Sequence, residues 1–393
     1  MKYKSVYDVE VSGKRVLLRV DYNVPINSVG QVVDDTRILA SIPTIEHLLH
    51  ESAVIIICSH LGRPNGMRME SLSLEKLVPS LRHCLNNQKI MFTQDCIGDR
   101  VTDLIDGMKP KELLLLENTR FWPGEANNES GMSKGLAELA DIFVNDAFGV
   151  AHRSHASTVG VATYLPAVAG LLLNKEIKYL ELVMTNPGHP FVAILGGAKI
   201  SDKIGVIEKL MDQADVVLVG GAMANTFLKA SGIEVGDSLV EDDVIDIASQ
   251  LLVQAGDKLI LPKDVIIADC LDAGAKIFAA KVEQGVDPGF RIVDIGPDTM
   301  KIFGDYIGNA RMIIWNGPMG AFEIPSFAIG TNSIARSVAH SNAISIVGGG
   351  DSASAIRKSG YADLISHVST GGGATLEMLR GNTLPAIAVL DQI

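Results

Sequence analysis

Aromatic side chains are scarce in this sequence of 393 residues, at 5%, against 47% hydrophobic and 20% charged residues. That balance excludes a disordered chain and fits an aliphatic-rich α/β enzyme. Cysteine is scarcer still: four residues, at positions 58, 84, 96 and 270, with no C-x-x-C spacing. No disulfide framework is implied, and reduced thiols in a cytoplasmic protein are expected. An excess of positive charge is missing too, since the net charge is −12. This argues against nucleic acid and against an anionic membrane as partners. No apolar run reaches transmembrane length; residues 159–173 come closest, but contain Pro166 and end at Asn174, Lys175 and Glu176. The opening "MKYKSVYDVE" has no hydrophobic segment of signal type. The common phosphate loop G-x-x-x-x-G-K-[ST] is absent, and G-x-G-x-x-G is only approached near Gly348 and Gly371.

What is present is organised. The length is too great for one ordinary core and suggests two or three domains. Nine of the fourteen arginines fall within the first 153 residues, and none lies between 154 and 290. Short runs rich in Val, Ile and Leu alternate with helical patterns such as "TRILASIPTIEHLLHES" and "SDKIGVIEKLMDQA". They predict parallel strands covered on both faces. Each run gives way to polar or glycine residues. "RVLLRV" leads to Asp21 and Asn23, "AVIIIC" to His60 and Arg63, "LLLLE" to Asn118 and Arg120, and "DIFV" to Asn145 and Asp146. Later runs end otherwise: "FVAIL" at Gly196, Gly197 and Lys199, "VVLV" at Gly220 and Gly221, and "RMIIW" at Asn316, Gly317 and Pro318. "AISIV" ends at Gly348, Gly349, Gly350 and Asp351, and "SHVS" at Gly371, Gly372 and Gly373.

Ligands of open α/β sheets bind beyond the carboxyl ends of the strands. The change from arginine to glycine chemistry therefore marks two domains, one before about residue 170 and one after about 185. A single (β/α)8 barrel would also carry polar strand ends, but there are too many strands and the chemistry is split. Between the halves, Leu173, Ile177, Leu180 and Met184 recur at helical spacing and predict a connecting helix.

Glycine turns that open helices let backbone N–H groups approach phosphate. Lys199 and Lys203, four apart, share a face if a helix begins near Ser201, and two such ammonium groups suit a polyanion. Asp351 suits Mg²⁺ together with phosphate oxygens, or alternatively closes an Asx turn. Arg37, His60, Arg63, Arg120 and Arg153 suit a small phosphorylated acid, because guanidinium forks match its oxygens. Asp21 and Asn23 are fitted to a hydroxyl. A metal site at His152 and His155 is set aside, because no carboxylate or cysteine completes it.

The strings "RVDYNVP", "SHLGRP", "ENTRFWPGE", "NDAFGVAHRSHAST", "GGAKISDKI", "GGAMANTF", "WNGPMGAFE", "VGGGDSA" and "STGGGATLE" together resemble the phosphoglycerate kinase family, in its order and over essentially the whole chain. The resemblance implies two doubly wound parallel-sheet α/β domains facing across a cleft. They would span residues 1–170 and 185–374, with a connecting helix at 171–184 and residues 375–393 returning to the first. It implies that Asp21, Asn23, Arg37, His60, Arg63, Arg120 and Arg153 bind 3-phosphoglycerate or 1,3-bisphosphoglycerate. It implies that Lys203, Gly220, Gly221, Asn316, Pro318, Glu323, Gly349, Gly350, Asp351 and Ser352 bind ATP or ADP with Mg²⁺ at Asp351, and that Glu323 meets the ribose. Arg37, Lys199 and Gly372 would stabilise the transferring phosphoryl group. A monomer acting only on small molecules is implied. Tyr22, Ser154 and Ser352 stand where Phe, Ala and Thr are usual, and none of these removes a charge or hydroxyl. A nicotinamide-dependent oxidoreductase would require the intact G-x-G-x-x-G that is missing, and a non-catalytic scaffold gives no reason to keep Arg37 and Lys199.

Overall fold

Each of the nine apolar runs forms a strand, and six further strands join them in the computed structural model, which describes residues 3–393. In chain order the strands are β1 (Arg15–Arg19), β2 (Val54–Cys58), β3 (Ile90–Phe92), β4 (Leu113–Leu115) and β5 (Ile142–Asn145). Then come β6 (Ala167–Ala169), β7 (Phe191–Leu195), β8 (Val216–Val219), β9 (Leu259–Ile260) and β10 (Asp264–Ala268). The last are β11 (Ile277–Lys281), β12 (Arg291–Ile295), β13 (Met312–Asn316), β14 (Ile344–Gly348) and β15 (His367–Val368).

The chain divides into two units, one running to Lys178 and taking back residues 383–393, the other spanning Tyr179–Asn382. A single helix, Leu171–Thr185, carries the chain from one to the other. Its buried apolar positions are Leu173, Ile177, Leu180 and Val183. Val183 thus takes the place expected of Met184. Residues 375–382, expected to return to the first unit, stay with the second, because helix Gly372–Leu379 and the following Arg380 are tied there.

The first unit holds a wholly parallel sheet in the order β3-β4-β2-β1-β5-β6. Its strands are continuous apolar runs because helices cover both faces, so no position is left for alternation. Central β1 pairs with β2 on one side and β5 on the other, which makes the carboxyl end of β1 the switch point of the sheet. The second unit also holds a six-stranded parallel sheet, β15-β14-β13-β7-β8-β9, with β7 between β13 and β8; here β9 pairs directly with β8, whereas in the first unit β4 lies between β2 and β3. It also holds an antiparallel sheet, β11-β10-β12, with no counterpart among the sequence expectations. Its outer strand β11 is almost wholly exposed, although Ile277, Phe278, Ala279 and Ala280 are apolar. Among the described residues, no helix is long and apolar enough to cross a membrane.

Asp146, one residue past β5, is a fold residue rather than a site residue. Its Oδ2 accepts from Thr44 Oγ1 at 2.6 Å and its Oδ1 from the Leu173 amide at 3.0 Å, while Thr44 Oγ1 accepts from the Leu171 amide. The opening turn of the connecting helix is thereby capped, satisfying amides that have no partner within the helix. Burial pushes the Asp146 carboxyl up to about 6, against the lowering effect of the bonds from Thr44 and the helix amides. Its folded pKa thus lies above the unfolded value of about 3.9, so its contribution to stability is complete below about pH 4 and is lost as pH rises through about 6. Asparagine does not titrate. The gap in melting temperature between the native chain and Asp146→Asn is therefore expected to be wider at about pH 4 than at about pH 8; a gap independent of pH would contradict this.

Candidate functional site

In the first unit the polar strand ends converge on Gly62, in the turn after β2. Its amide donates to Asn23 Oδ1 at 2.9 Å, and its carbonyl accepts from Arg120 Nη1 at 2.8 Å. Its φ of +64° and the 2.8 Å that would separate an added Cβ from the Leu72 side chain leave room for no other residue. Asp21 is nearly buried; its Oδ2 accepts from Arg37 Nη1 at 2.9 Å, and the same guanidinium reaches the Asn23 carbonyl at 3.2 Å. Arg63, Arg120, Arg153, His155 and Trp122 line one cavity of about 440 Å³. Arg63 is exposed, while Arg120 and Arg153 are half-buried. Burial, and then the charges of Arg153 and Arg19, bring Arg120 down to about 10, so it stays a cation at neutral pH. Asn118 and Asn145 serve the backbone instead: Asn118 ties the Leu61 and Leu72 carbonyls, and Asn145 holds the Ala147 amide.

The sequence reading missed Arg19. It closes β1 and is fully buried, with Nε donating to Ser157 Oγ at 2.8 Å, Nη1 to the Val20 carbonyl and Nη2 to His60 Nδ1 at 3.2 Å. Ser157 passes the interaction on, donating through Oγ (2.6 Å) and its amide (3.0 Å) to the buried carboxylate of Glu125. A charged residue inside "RVLLRV" was the available signal, because an arginine in a buried strand must find acceptors. Arginine has no acceptor, so His60 Nδ1 carries the lone pair and Nε2 the proton. Burial, then the charges of Arg19, Arg120, Arg37 and His155, hold His60 well below its ordinary pKa. His155 is brought down to about 4, first by burial, with nearby arginines outweighing Glu125. Both imidazoles are neutral at pH 7.

In the second unit the strand ends are packed so tightly that most of their glycine amides are already used. Gly196 donates to the Asn316 carbonyl, Gly197 to Pro318, Gly220 to Leu195 and Gly221 to Met319. Gly317, at φ +104°, lies where a Cβ would come within 2.1 Å of the Gly196 carbonyl. Gly350 and Gly372 differ. Each begins a helix, Gly350–Lys358 and Gly372–Leu379, whose first amides lack an intrahelical partner. A Cβ on Gly350 would meet nothing within 4 Å, and one on Gly372 would meet only the Gly350 amide nitrogen, at 3.8 Å. Two bare helix N-termini thus meet at one open spot, an arrangement whose oriented amides suit an anion.

Lys199 and Lys203 do not share a helix face. The helix begins at Ile204, three residues later than expected, with Lys203 at its cap. The Lys203 ammonium turns back to the Gly196 carbonyl at 2.7 Å and the Asn316 carbonyl at 3.2 Å. Burial lowers it to about 8, against the opposing charges of Asp351 and Asp202. Lys199 is exposed in the irregular turn. Ser352 is buried and accepts from the Gly317 amide, and Asn316 Nδ2 donates to the Gly348 carbonyl. Pro318 is buried, whereas Glu323 and Asp351 are exposed. No group of three or more His, Cys, Asp or Glu side chains among the described residues could hold a metal ion. A cation at Asp351 would therefore need phosphate oxygens as ligands, which suits Mg²⁺.

The family model described as phosphoglycerate kinase matches residues 6–382. A curated relative of that name from Pseudothermotoga lettingae is 48% identical over 98% of each chain. One from Chloroflexus aurantiacus is 50% identical over 100% of this chain and 99% of its own. Among solved structures, a phosphoglycerate kinase from Coxiella burnetii superposes with a TM-score of 0.87 at 41% identity, covering 98% of both chains. One from Pyrococcus horikoshii gives 0.88 at 32% identity over 98% of both.

The Arg19 geometry has a spectroscopic consequence. Nitrogen-15 shifts of His60 are expected to report a neutral ring protonated on Nε2 from pH 5.5 to 8. Arg19→Met is expected to abolish that preference. Detection of a protonated ring at pH 6.5 in the native chain would contradict the assignment.

Proposed function

The chain belongs to the phosphoglycerate kinase family, and from that premise we propose that it transfers a phosphoryl group reversibly between 1,3-bisphosphoglycerate and MgADP. One observation carries the reading: each unit builds a six-stranded parallel sheet, and the strand ends carry guanidinium groups in one and bare helix N-termini in the other. The first suits a small phosphorylated acid, the second a nucleotide phosphate.

An oxygen of the terminal ADP phosphate attacks the acyl phosphorus. The bond from phosphorus to the acyl oxygen breaks, and its electron pair stays on the departing carboxylate of 3-phosphoglycerate. Nucleophile and leaving group are both ionised at pH 7, so no proton needs to move and no general base is needed. The lowered pKa values of His60 and His155 make both weak bases, which supports a mechanism without one. The two carboxyls lifted toward neutrality, Asp146 at about 6 and Asp294 at about 7, are buried and occupied in holding helix amides.

What remains is electrostatic: like-charged groups must approach in line, away from water. Arg63, Arg120 and Arg153 hold the acid's phosphate, with His60 Nε2, Asn23 and Asp21 directed to its other oxygens. Lys203, Asn316 and Ser352 organise the nucleotide pocket, Glu323 meets the ribose, and Asp351 shares Mg²⁺ with the phosphates. Gly220, Gly221 and Pro318 shape this pocket through packing, since the two glycine amides are spent on neighbouring carbonyls. Arg37, Lys199 and the Gly372 amide neutralise the group in flight. Transfer without hydrolysis requires closure, for which a hinge along the connecting helix is the expected means. The enzyme is expected to act as a monomer in the cytoplasm.

ATP formation from 1,3-bisphosphoglycerate and MgADP tests the reading directly. Lys199→Ala and Arg37→Ala are each expected to lower kcat by about 10²-fold or more, with little change in the KM for nucleotide. Normal turnover by either variant at saturating substrate would remove that residue from the mechanism, and a native chain that forms no ATP would end the proposal.

A further inference from the structure

The exposed Lys199 lies in a turn with no regular structure, yet a group meant to meet a moving phosphoryl must start from a fixed backbone. We propose that Glu241 is the residue that fixes it, a positioning residue acting through Ile200 and Ser201. The inference rests on the role given to Lys199 above.

Three donors next to Lys199 converge on one carboxylate. Glu241 Oε2 accepts from the Ile200 amide at 2.5 Å and the Ser201 amide at 3.2 Å, and Oε1 accepts from Ser201 Oγ at 2.6 Å. The arrangement is not what Glu241's own location would dictate. It occupies the cap position of the short turn Asp242–Val244, where a side-chain acceptor ordinarily takes the turn's own amides, and it makes no such bond. Its carboxylate reaches to the lysine turn instead, some forty residues earlier in sequence.

The clamp is itself anchored. The Glu241 amide donates to Thr226 Oγ1 at 3.2 Å, and Asn225 Nδ2 donates to the Leu239 carbonyl at 3.2 Å. Thr226 and Asn225 are buried on helix Gly221–Ala230, which begins at the carboxyl end of β8. Hydrogen bonds therefore run from a buried helix through Glu241 to the residue after Lys199. The other side of the turn is pinned by the Lys203 ammonium and by Arg380 Nη2, which donates to the Asp202 carbonyl at 2.5 Å. The buried Ile200 side chain anchors it from beneath. With Lys203 turned inward, Lys199 is left facing solvent.

A tie that only stabilised the fold would lower the melting temperature and act independently of Lys199. A positioning residue works through it, and a double-mutant cycle tells the two apart. The variants are Glu241→Ala, Ser201→Ala and Lys199→Ala, singly and paired, assayed with MgADP and 1,3-bisphosphoglycerate and in reverse with 3-phosphoglycerate. Glu241→Ala is expected to lower kcat by about tenfold to 10²-fold, the scale of a displacement near 1 Å, with the KM for 3-phosphoglycerate unchanged. In the Lys199→Ala background it is expected to cost nothing further. Ser201→Ala, which removes one bond and leaves the carboxylate in place, is expected to act in the same direction but less. It replaces Glu241→Ala in the cycle should that variant fold poorly. Losses that multiply independently, or Glu241→Ala and Ser201→Ala variants as fast as the native chain, would overturn the positioning role while leaving Lys199 in the mechanism. Full activity in Lys199→Ala itself would remove the reading beneath it, and this proposal with it.

Discussion

A protein can hold an anion only with donors that its own fold has not already used. In the second unit, close packing of the β7, β8 and β13 ends uses the amides of Gly196, Gly197, Gly220 and Gly221, together with two of the three Lys203 ammonium donors. Two helix N-termini at Gly350 and Gly372, the third Lys203 donor and the side chain of Lys199 stay available. Glycine has two uses here. At positions 196 and 317 it lets backbones come together, and at 350 and 372 it leaves them open.

The first unit meets the same constraint by another route. Its strand ends offer side chains instead of amides, and a cluster of arginines must be kept apart and pointed correctly. Arg37 is steadied by Asp21, and Arg120 by the Gly62 carbonyl. Arg19 is withdrawn from the cavity altogether, its charge relayed through Ser157 to Glu125. Breaking such a buried relay by removing one member leaves an uncompensated group, which is far more costly than never having built it. The relay also sets which His60 nitrogen bears the proton, so a residue that touches no ligand governs one expected to.

Much of this was legible because parallel strands buried on both faces have a plain signature, and because a polar residue directly after such a strand has few places to go. Nine strands and their division between two parallel sheets come from that alone; the order of the strands does not. The edge strands β3, β6 and β9 are two or three residues long; β15 is just as short, but was marked by the Gly371-Gly372-Gly373 run that follows it, a cue the other three lack. The antiparallel sheet escaped because β11 has no buried face. Arg19 was hidden by its own strand, the start of the helix at Ile204 by a lysine at the cap position whose side chain folds back to the Gly196 carbonyl, and Glu241 by distance in sequence. Each is a tertiary contact that overrides a local preference, and periodicity carries no trace of it.

The most informative property of the two sites is chemical. A reaction that moved a proton at neutral pH would call for an exposed group titrating near 7. The histidines of the arginine cavity are driven the other way by burial and by their cationic neighbours. Asp146 and Asp294 titrate nearer neutrality but are sealed beneath helix starts, where burial is what lifts them. Lys203, at about 8, is tied to the Gly196 carbonyl and to the Asn316 carbonyl at the end of β13. Cations and oriented amides without a base are the equipment for moving a group whose nucleophile arrives already ionised, and phosphoryl transfer between a carboxylate and a nucleotide is a reaction of that kind.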